Sequence, residues 1–299
     1  MNKKTYLSGF AIALLGSILF STKAIFVKLA FHATHADAIT LLGLRMLFSL
    51  PFFLIIAFFA SHKESSEKLS PKQWFYIAIT GMLGYYISSL FDFVGLQYIS
   101  AGLERLILFL YPTFSVLLNT FIFKSKLNRT QILALILTYI GIGIAYYGEL
   151  KIDTTNPNFY YGSLMVFICS ITYSFYLVGT GRLVNRVGAT RFTAYAMLFA
   201  TAGIFANYAV VKPLTGFVFT PGLIGYGAAL AIVATVIPSF MISNAIKKIG
   251  SNNVSIITSV GPVSTIIQAH YLLGEKIFSE QIIGTILVVV GVLLIGKNK

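Results

Sequence analysis

The stretch GLERLILFLYP, residues 102–112, places an acid and a base side by side, Glu104 and Arg105, at the start of an otherwise apolar run. The run continues to residue 123 and is long enough to cross a bilayer as a helix. A charge inside such a span costs about 2.5–3.5 kcal/mol on insertion scales, so it needs a partner, water or a ligand. This stretch therefore predicts a helical membrane protein that contains a polar pathway.

The composition of the 299-residue chain supports this prediction. Hydrophobic residues make up 57% of the chain and charged residues 10%, whereas an average soluble protein has about 25% charged residues. The formal charge of +13 is spread over short segments between apolar runs, which is typical of a membrane protein and argues against a nucleic-acid-binding surface. Cys169 is the single cysteine, so the sequence predicts no internal disulfide, no metal site and no cofactor.

A window of about 20 residues marks ten apolar segments joined by short connections. The segments are 7–30, 38–60, 73–96, 102–123, 130–148, 159–180, 190–211, 222–244, 252–273 and 279–296. The sequence thus predicts an all-α, polytopic membrane fold of ten transmembrane helices.

The basic residues alternate between the two sides of this arrangement. The termini and the loops after even-numbered spans carry fifteen Lys and Arg, whereas the opposite loops carry only Lys151, Lys212 and Lys276. Because Lys and Arg accumulate on the cytoplasmic side, both termini are predicted to be cytoplasmic in a cell (inner) membrane. The prediction depends on the span count, since one missed span would scramble the alternation of the loops.

The two halves of the chain are related by an internal repeat. The matching pairs are Pro112 with Pro262, Gln131 with Gln281 and Gly141 with Gly291 at a shift of 150 residues, and Gly9 with Gly162 at a shift of 153. Five spans per repeat is an odd number, so the second repeat enters the membrane inverted relative to the first. The sequence therefore predicts repeats at 1–150 (helices 1–5) and 151–299 (helices 6–10), with a substrate site between them near the midplane.

Two segments resemble a known family. GLERLILFLYPTFSVLLNTFIF (102–123) and GPVSTIIQAHYLLGEKIFSEQIIGTILVVVGVLLIG (261–296) are similar to segments of EamA domains in the drug/metabolite transporter superfamily. Each has the family's mid-helix proline, and the second has its Gly274-Glu275 turn before a glycine-bearing last helix. The first repeat departs from this pattern, because Lys124-Ser125-Lys126 stands where the acidic turn is usual.

This resemblance covers nearly the whole chain and implies a carrier of small metabolites in the cytoplasmic membrane. Many members are exporters, and amino acids and related compounds are frequent substrates. The implied fold places spans 1, 3, 4, 6, 8 and 9 around a central cavity, with spans 5 and 10 at the rear.

Charged residues inside the spans or at their edges are the candidates for substrate binding or gating, and we single out Lys23, Arg45, Asp92, Glu104 and Arg105. Asp92 is too short to reach the membrane surface, and its helix face also carries Tyr85 and Ser89, so it faces a cavity or another helix. Arg105 has the wrong sign for a helix N-terminus and needs Asp92, Glu104 or a bound anion, which makes it the leading candidate.

Each of these charges also has a structural interpretation. Lys23 and Arg45 lie about two turns deep and can extend toward the membrane surface. Asp92 can form an ion pair that pins two helices, and Glu104 can stabilise the first turn of its own helix.

The repeat provides an internal control for the charges. The matching positions of the second repeat are uncharged: Ile242 for Asp92, Val254 for Glu104, Ser255 for Arg105 and Tyr176 for Lys23. Because the same scaffold is built once without them, we interpret the charges as part of the transport pathway or of an outer gate.

The remaining candidates are uncharged at neutral pH. Tyr86, Tyr111 and Tyr176 are placed near the cavity, and His270 is either a proton shuttle or a structural histidine between helices. Pro112 and Pro262 each remove a helix hydrogen bond and provide a matched pair of bends for alternating access.

The inferred function is transport of a small metabolite, with the substrate and the bilayer as partners. The candidate charges have a net charge of +1, which suits a small anion or a zwitterion with a carboxylate. The basic residues are Lys23, Arg45 and Arg105, and the acidic residues are Asp92 and Glu104. We expect an exporter or exchanger of amino acids or related zwitterions, with protons as a candidate coupling ion. The alternatives are proton-coupled efflux of lipophilic drugs and a non-transporting receptor or assembly factor. No enzyme motif occurs in the sequence.

Overall fold

The computed structural model describes residues 3–61, 68–124, 129–152, 156–211, 220–258 and 260–297. All regular structure in these ranges is helical. The α-helices are Lys3–Thr34 (α1), Ala38–Ser61 (α2), Pro71–Gly81 (α3), Ser88–Leu96 (α4), Ala101–Leu108 (α5), Tyr111–Phe123 (α6), Arg129–Ile152 (α7), Phe159–Val187 (α8), Ala189–Val211 (α9), Pro221–Ala231 (α10), Ile237–Thr258 (α11), Gly261–Leu273 (α12) and Ser279–Lys297 (α13). Ser125, Lys126 and Lys212, which entered the sequence predictions, lie outside these ranges.

Within the described ranges, eight helical stretches are long and apolar enough to cross a membrane. They are Thr5–Thr34, Ala38–Ser61, Pro71–Leu96, Ala101–Phe121, Arg129–Lys151, Phe159–Thr180, Ala189–Val211 and Pro221–Ile242, and Ser279–Leu294 is a shorter apolar helix. Large hydrophobic side chains on their outer faces are exposed, Phe121 at 78% and Phe59 at 68%, as expected of lipid-facing residues. The predicted all-α, multi-pass membrane fold is confirmed.

The boundary between the eighth and ninth predicted spans differs from the prediction. Helix α11 continues from Ile237 to Thr258 through the basic pair Lys247-Lys248, which the sequence analysis placed in a loop. Gly250 follows this pair, yet the helix continues through it, because Ile249 packs against Gly9 of α1 and such packing outweighs the cost of about 1 kcal/mol of one glycine in a helix. The ninth span therefore begins inside α11 and continues as the 13-residue α12.

Two π-helical segments interrupt the spans at equivalent places. Met82–Ile87 joins α3 to α4, and Ile232–Val236 joins α10 to α11. The two segments begin 150 residues apart, which is the shift of the sequence repeat. A π turn widens the helix and leaves carbonyl groups free for side chains, and such turns are frequent at functional sites.

The paired prolines lie just after a helix break in each repeat. The α5 helix ends at Leu108 and α6 begins at Tyr111, so Pro112 occupies the second position of α6. Pro262 has the same position in α12. At a helix N-terminus the missing N–H costs no hydrogen bond, so each proline starts a new helix after a break rather than kinking a continuous one.

The end of the bundle opposite the chain termini is formed by residues 97–102, 156–159 and 274–281, and we call it the distal end. Here the Lys28 ammonium donates to the Ile99 carbonyl at 2.7 Å, and Lys151 lies 3.5 Å from Glu280. At the opposite end, Lys248 donates to Ser8 at 3.3 Å. These contacts group the described helix ends at two opposite ends of the bundle.

Contacts between the halves are exchanged by the repeat. Gly9 of α1 packs against Ile249 of α11, and Gly162 of α8 packs against Ile99 beyond α4. The shift of 153 aligns Gly9 with Gly162, and the shift of 150 aligns Ile99 with Ile249, so the two contacts are equivalent in the repeat. The first helix of each half therefore packs on the third span of the other half, as two inverted repeats predict.

The rear helices α7 and α13 show the same exchange. Gly141 approaches the backbone of Gly284, and Gly291 approaches the backbone of Ala134. A shift of 150 residues aligns Gly141 with Gly291 and Ala134 with Gly284, so these two contacts are also equivalent. Small residues allow these antiparallel helices to pack closely in lipid, where no hydrophobic effect drives them together.

Candidate functional site

The centre of the candidate site is a lysine shared by two carboxylates. Lys23 Nζ of α1 lies 2.6 Å from Asp92 Oδ2 of α4 and 3.7 Å from Glu104 Oε1 of α5. Asp92 is 1% exposed and Glu104 is fully buried. The structure thus brings together three of the five predicted charges, from three different spans.

Local sequence explains how the two acids reach this position. Asp92 is the central residue of the nine-residue helix α4, which ends at Leu96. After a short turn, the Ser100 hydroxyl accepts the Leu103 N–H at 3.0 Å and starts α5. Glu104 follows within the first turn of α5 and therefore faces the same interior as Asp92.

These carboxylates have few partners. Apart from the Lys23 ammonium, no donor among the residues with described side chains hydrogen-bonds to the oxygens of Asp92 or Glu104. The two carboxylates lie close together, because both are within 3.7 Å of the same Lys23 ammonium. Because a buried charge without a partner is costly, this arrangement favours a bound cation or proton at the acid pair.

Arg105 lies beside the acid pair and contacts the second half of the chain. Its Nη2 lies 2.7 Å from the point where a side chain on Gly261 of α12 would begin, so only glycine permits this approach. The Arg105 Nε is buried and has no hydrogen-bond partner in the described part of the chain. The aromatic ring of Tyr111, which follows in α6, lies 5.2 Å from that of Tyr173 in α8. Arg105 is thus available to bind an anion between the halves.

Arg45 connects the two halves at the π segments. Its Nε donates to Thr235 Oγ1 of the second π segment at 2.9 Å, and its Nη1 donates to Ser89 Oγ at 3.3 Å. The guanidinium also lies over the Phe93 ring, 5.6 Å from its centre. Arg45 is therefore a buried residue with partners on both halves, so of the two interpretations that the sequence left open the structure favours the interior one.

Tyr176, the repeat equivalent of Lys23, also lies in this interior. Its hydroxyl forms a 2.9 Å hydrogen bond with the Tyr85 hydroxyl of the first π segment. The Tyr173 ring stacks on Tyr176 at 5.6 Å. Three tyrosines and Tyr111 thus form an aromatic wall beside the charges.

Tyr86 and His270 lie apart from this centre. The Tyr86 hydroxyl accepts a hydrogen bond from Asn207 of α9 at 2.8 Å rather than contacting one of the charges. His270 is exposed, and its Nδ1 lies 2.9 Å from the Glu275 carbonyl oxygen at the distal end. These positions favour a structural role for both.

Thr235 and Cys169 belong to the site but were not among the sequence candidates. Thr235 is the hydrogen-bond partner of Arg45. The repeat could have identified Thr235, because a shift of 150 residues aligns it with Tyr85 in the first half. Cys169 is buried within electrostatic reach of Lys23, Asp92 and Glu104. Nothing in its sequence context distinguishes Cys169 from other residues in an apolar helix.

A surface groove lies apart from this group of charges. It has a volume of about 520 Å³ and is lined mainly by apolar residues of α2, with Tyr195 of α9. It faces the lipid and holds no charged residue, so the chemistry of the protein is concentrated at the buried charges.

Comparison with known proteins gives a consistent result. A family model described as "EamA-like transporter family" matches residues 7–147 and 160–297. The chain is 30% identical over 284 residues to "Uncharacterized transporter YcbK" of Bacillus subtilis (strain 168), covering 93% of this chain and 89% of that protein. It is 27% identical over 217 residues to YyaM, a transporter of the same organism, covering 72% and 70%. A crystal structure with 17% identity superimposes with a TM-score of 0.66 over 96% of each chain, a likeness of fold alone.

Proposed function

The chain belongs to the EamA-like transporter family and is a multi-pass membrane transporter for a small molecule, and from this premise we propose that it exports or exchanges amino acids or related zwitterions. In this proposal both termini are cytoplasmic in the cell membrane, the repeats are residues 1–150 and 151–299, and transport proceeds by alternating access. The observation that carries the proposal is the buried group of Lys23, Asp92, Glu104 and Arg105, in which both charge signs lie close together between the halves.

The charges suit a ligand that has both a carboxylate and an ammonium group. Arg105 has a buried Nε without a partner in the described structure and can take the carboxylate. Asp92 and Glu104 together have one ammonium, that of Lys23. A substrate ammonium can therefore bind to the acid pair alongside Lys23 or in its place.

The halves meet at polar contacts that a rocking motion can break and remake. The Ser21 hydroxyl of α1 donates to the Gly261 carbonyl of α12 at 3.1 Å, and the Ser17 hydroxyl donates to the Thr258 carbonyl at 3.2 Å. Gly261 is also the residue that Arg105 contacts. A substrate at Arg105 thus lies on the interface that must move during alternating access.

Proton coupling is a further part of the proposal, because the acid pair can hold a proton when Lys23 is displaced. Efflux of lipophilic cations is supported less well, because a cation without a carboxylate would leave Arg105 Nε without a partner in the described structure.

Reconstituted proteoliposomes test the proposal. Vesicles loaded with one amino acid should take up a labelled amino acid by exchange, and Arg105→Gln should abolish this flux. Glu280→Gln is the matched control, because Glu280 lies on the rear helix α13 and should leave exchange unchanged. Uptake that is insensitive to a pH gradient would remove proton coupling. Absence of flux for every amino acid and zwitterion would contradict the proposed substrate class.

A further inference from the structure

Glu275 of the second half holds the start of the helix that carries Glu104 and Arg105 in the first half. Its Oε1 accepts the Ala101 N–H at 2.8 Å, and its Oε2 accepts the Gly102 N–H at 3.2 Å. A carboxylate at a helix N-terminus forms charge-assisted hydrogen bonds and interacts favourably with the helix dipole. Both oxygens are used, so the contact fixes the position and the direction of α5.

The turn that presents Glu275 is itself well defined. Gly274 has φ +71°, which a glycine adopts without strain, and the Glu275 N–H donates back to the Ala269 carbonyl at 3.2 Å. His270 Nδ1 contacts the Glu275 carbonyl oxygen. The glutamate is therefore directed at α5 by a rigid helix end.

The residues before α5 are held by two further groups at the distal end. Lys28 of α1 donates to the Ile99 carbonyl at 2.7 Å. Asn156, which precedes α8, donates to the Tyr98 carbonyl at 2.6 Å. Together with Glu275, these contacts fasten residues 98–102 to spans from both halves. Because Glu104 follows directly, the fastened turn lies between the acid pair and the distal surface.

The other half has no equivalent contact in the described structure. Lys124 takes the place of Gly274 and has φ 52°. The helix positions that would match Ala101 and Gly102 lie at 251 and 252, inside the uninterrupted helix α11, where the backbone N–H groups are already used. The contact is thus specific to the distal end and is not demanded by the repeat.

We propose that Glu275 is a positioning residue that closes the distal side of the transport pathway: it must release Ala101 and Gly102 before the acid pair and Arg105 are accessible from that side. This inference rests on the proposed transport function, although the contact itself does not depend on the identity of the substrate. Loss of Glu275 should favour the conformation that is open at the distal end.

Cys169 provides a readout that needs no substrate. It is the single cysteine of the chain and is buried beside the charges. A membrane-impermeant thiol reagent is applied to intact cells and to inside-out vesicles. In Glu275→Ala, labelling from the distal side should be about tenfold faster than in the natural protein, which corresponds to about 1.4 kcal/mol. Glu275→Gln keeps one acceptor oxygen and should lie between the two, whereas Glu280→Gln should match the natural protein.

Equal labelling rates in the natural protein, Glu275→Ala and Glu275→Gln would overturn the inference, provided that each variant is monodisperse and is fully labelled in denaturant. Faster labelling from both sides would also overturn it, since that result indicates a loosened fold. Faster distal labelling without amino-acid exchange by any variant would support the positioning role and reject the proposed substrate.

Discussion

Lys23 Nζ lies 2.6 Å from Asp92 Oδ2, and this contact joins the first span to the third in the interior of the bundle. Glu104 lies within 3.7 Å of the same ammonium, so the two acids depend on a single lysine. Removing one member of a buried ion pair costs about 3–5 kcal/mol, because the other charge is left without a partner.

The first prediction compares the two ends of this pair. Lys23→Met leaves two buried acids without an ammonium, whereas Asp92→Asn leaves Lys23 with Glu104. We expect Lys23→Met to lower the free energy of unfolding by about 3–5 kcal/mol and Asp92→Asn to lower it by less. Thermal unfolding in detergent measures the order, and equal losses of stability would contradict the shared-lysine arrangement.

The second prediction concerns the contact between the halves at Arg45. Thr235→Val keeps the side-chain volume but removes the acceptor for Arg45 Nε. We expect a loss of about 1.5–3 kcal/mol of stability, the usual value for a hydrogen bond to a charged group. Thr285→Val is the control, because the Thr285 hydroxyl bonds only to the Gln281 carbonyl of its own helix. A similar stability of the two variants would show that Arg45 does not depend on Thr235.

The sequence predicted the helical membrane fold because span length and hydropathy depend on local composition. It also predicted that Asp92, Glu104 and Lys23 are functional, since a charge in an apolar span needs a partner. It did not identify which partner each charge has. Arg45 could reach the membrane surface or the interior with the same local sequence, and only the packing of α2 against the second π segment decides between them.

The role of Glu275 was hidden for a similar reason. A glutamate after a glycine at a helix end is typical of an exposed turn, and its partners Ala101 and Gly102 are more than 170 residues away in the sequence. Long-range capping contacts leave no local signal, because the capped N–H groups belong to the backbone. The partners of Tyr86 and His270, which are Asn207 and the Glu275 carbonyl, are likewise set by packing and leave no signal in the local sequence.

The third prediction concerns the rear helices. A side chain added at Gly141 would begin 2.7 Å from the Gly284 carbonyl oxygen, which leaves no room for it. Gly141→Leu should therefore lower the stability by about 1–3 kcal/mol or more. Gly143→Ala, in the same helix, adds a methyl group to open space and should be neutral or slightly stabilising. Melting temperatures that fall equally in both variants would contradict a specific α7–α13 contact.

The fourth prediction concerns the orientation of the bundle in the membrane. Ten alternating spans and the positive-inside rule place Lys72 on the cytoplasmic side and Asn158 on the outer side. Both residues are exposed, and the Asn158 side chain caps no backbone N–H, so cysteine at either position should not disturb the fold. In a Cys169→Ser background, an impermeant thiol reagent added to intact cells should label Asn158→Cys and leave Lys72→Cys unlabelled until the membrane is opened. The reverse pattern would contradict the predicted orientation of the bundle. It would also move the Glu275 contact from the outer side of the membrane to the cytoplasmic side. Labelling of both positions in intact cells would show that the number of spans between them is even.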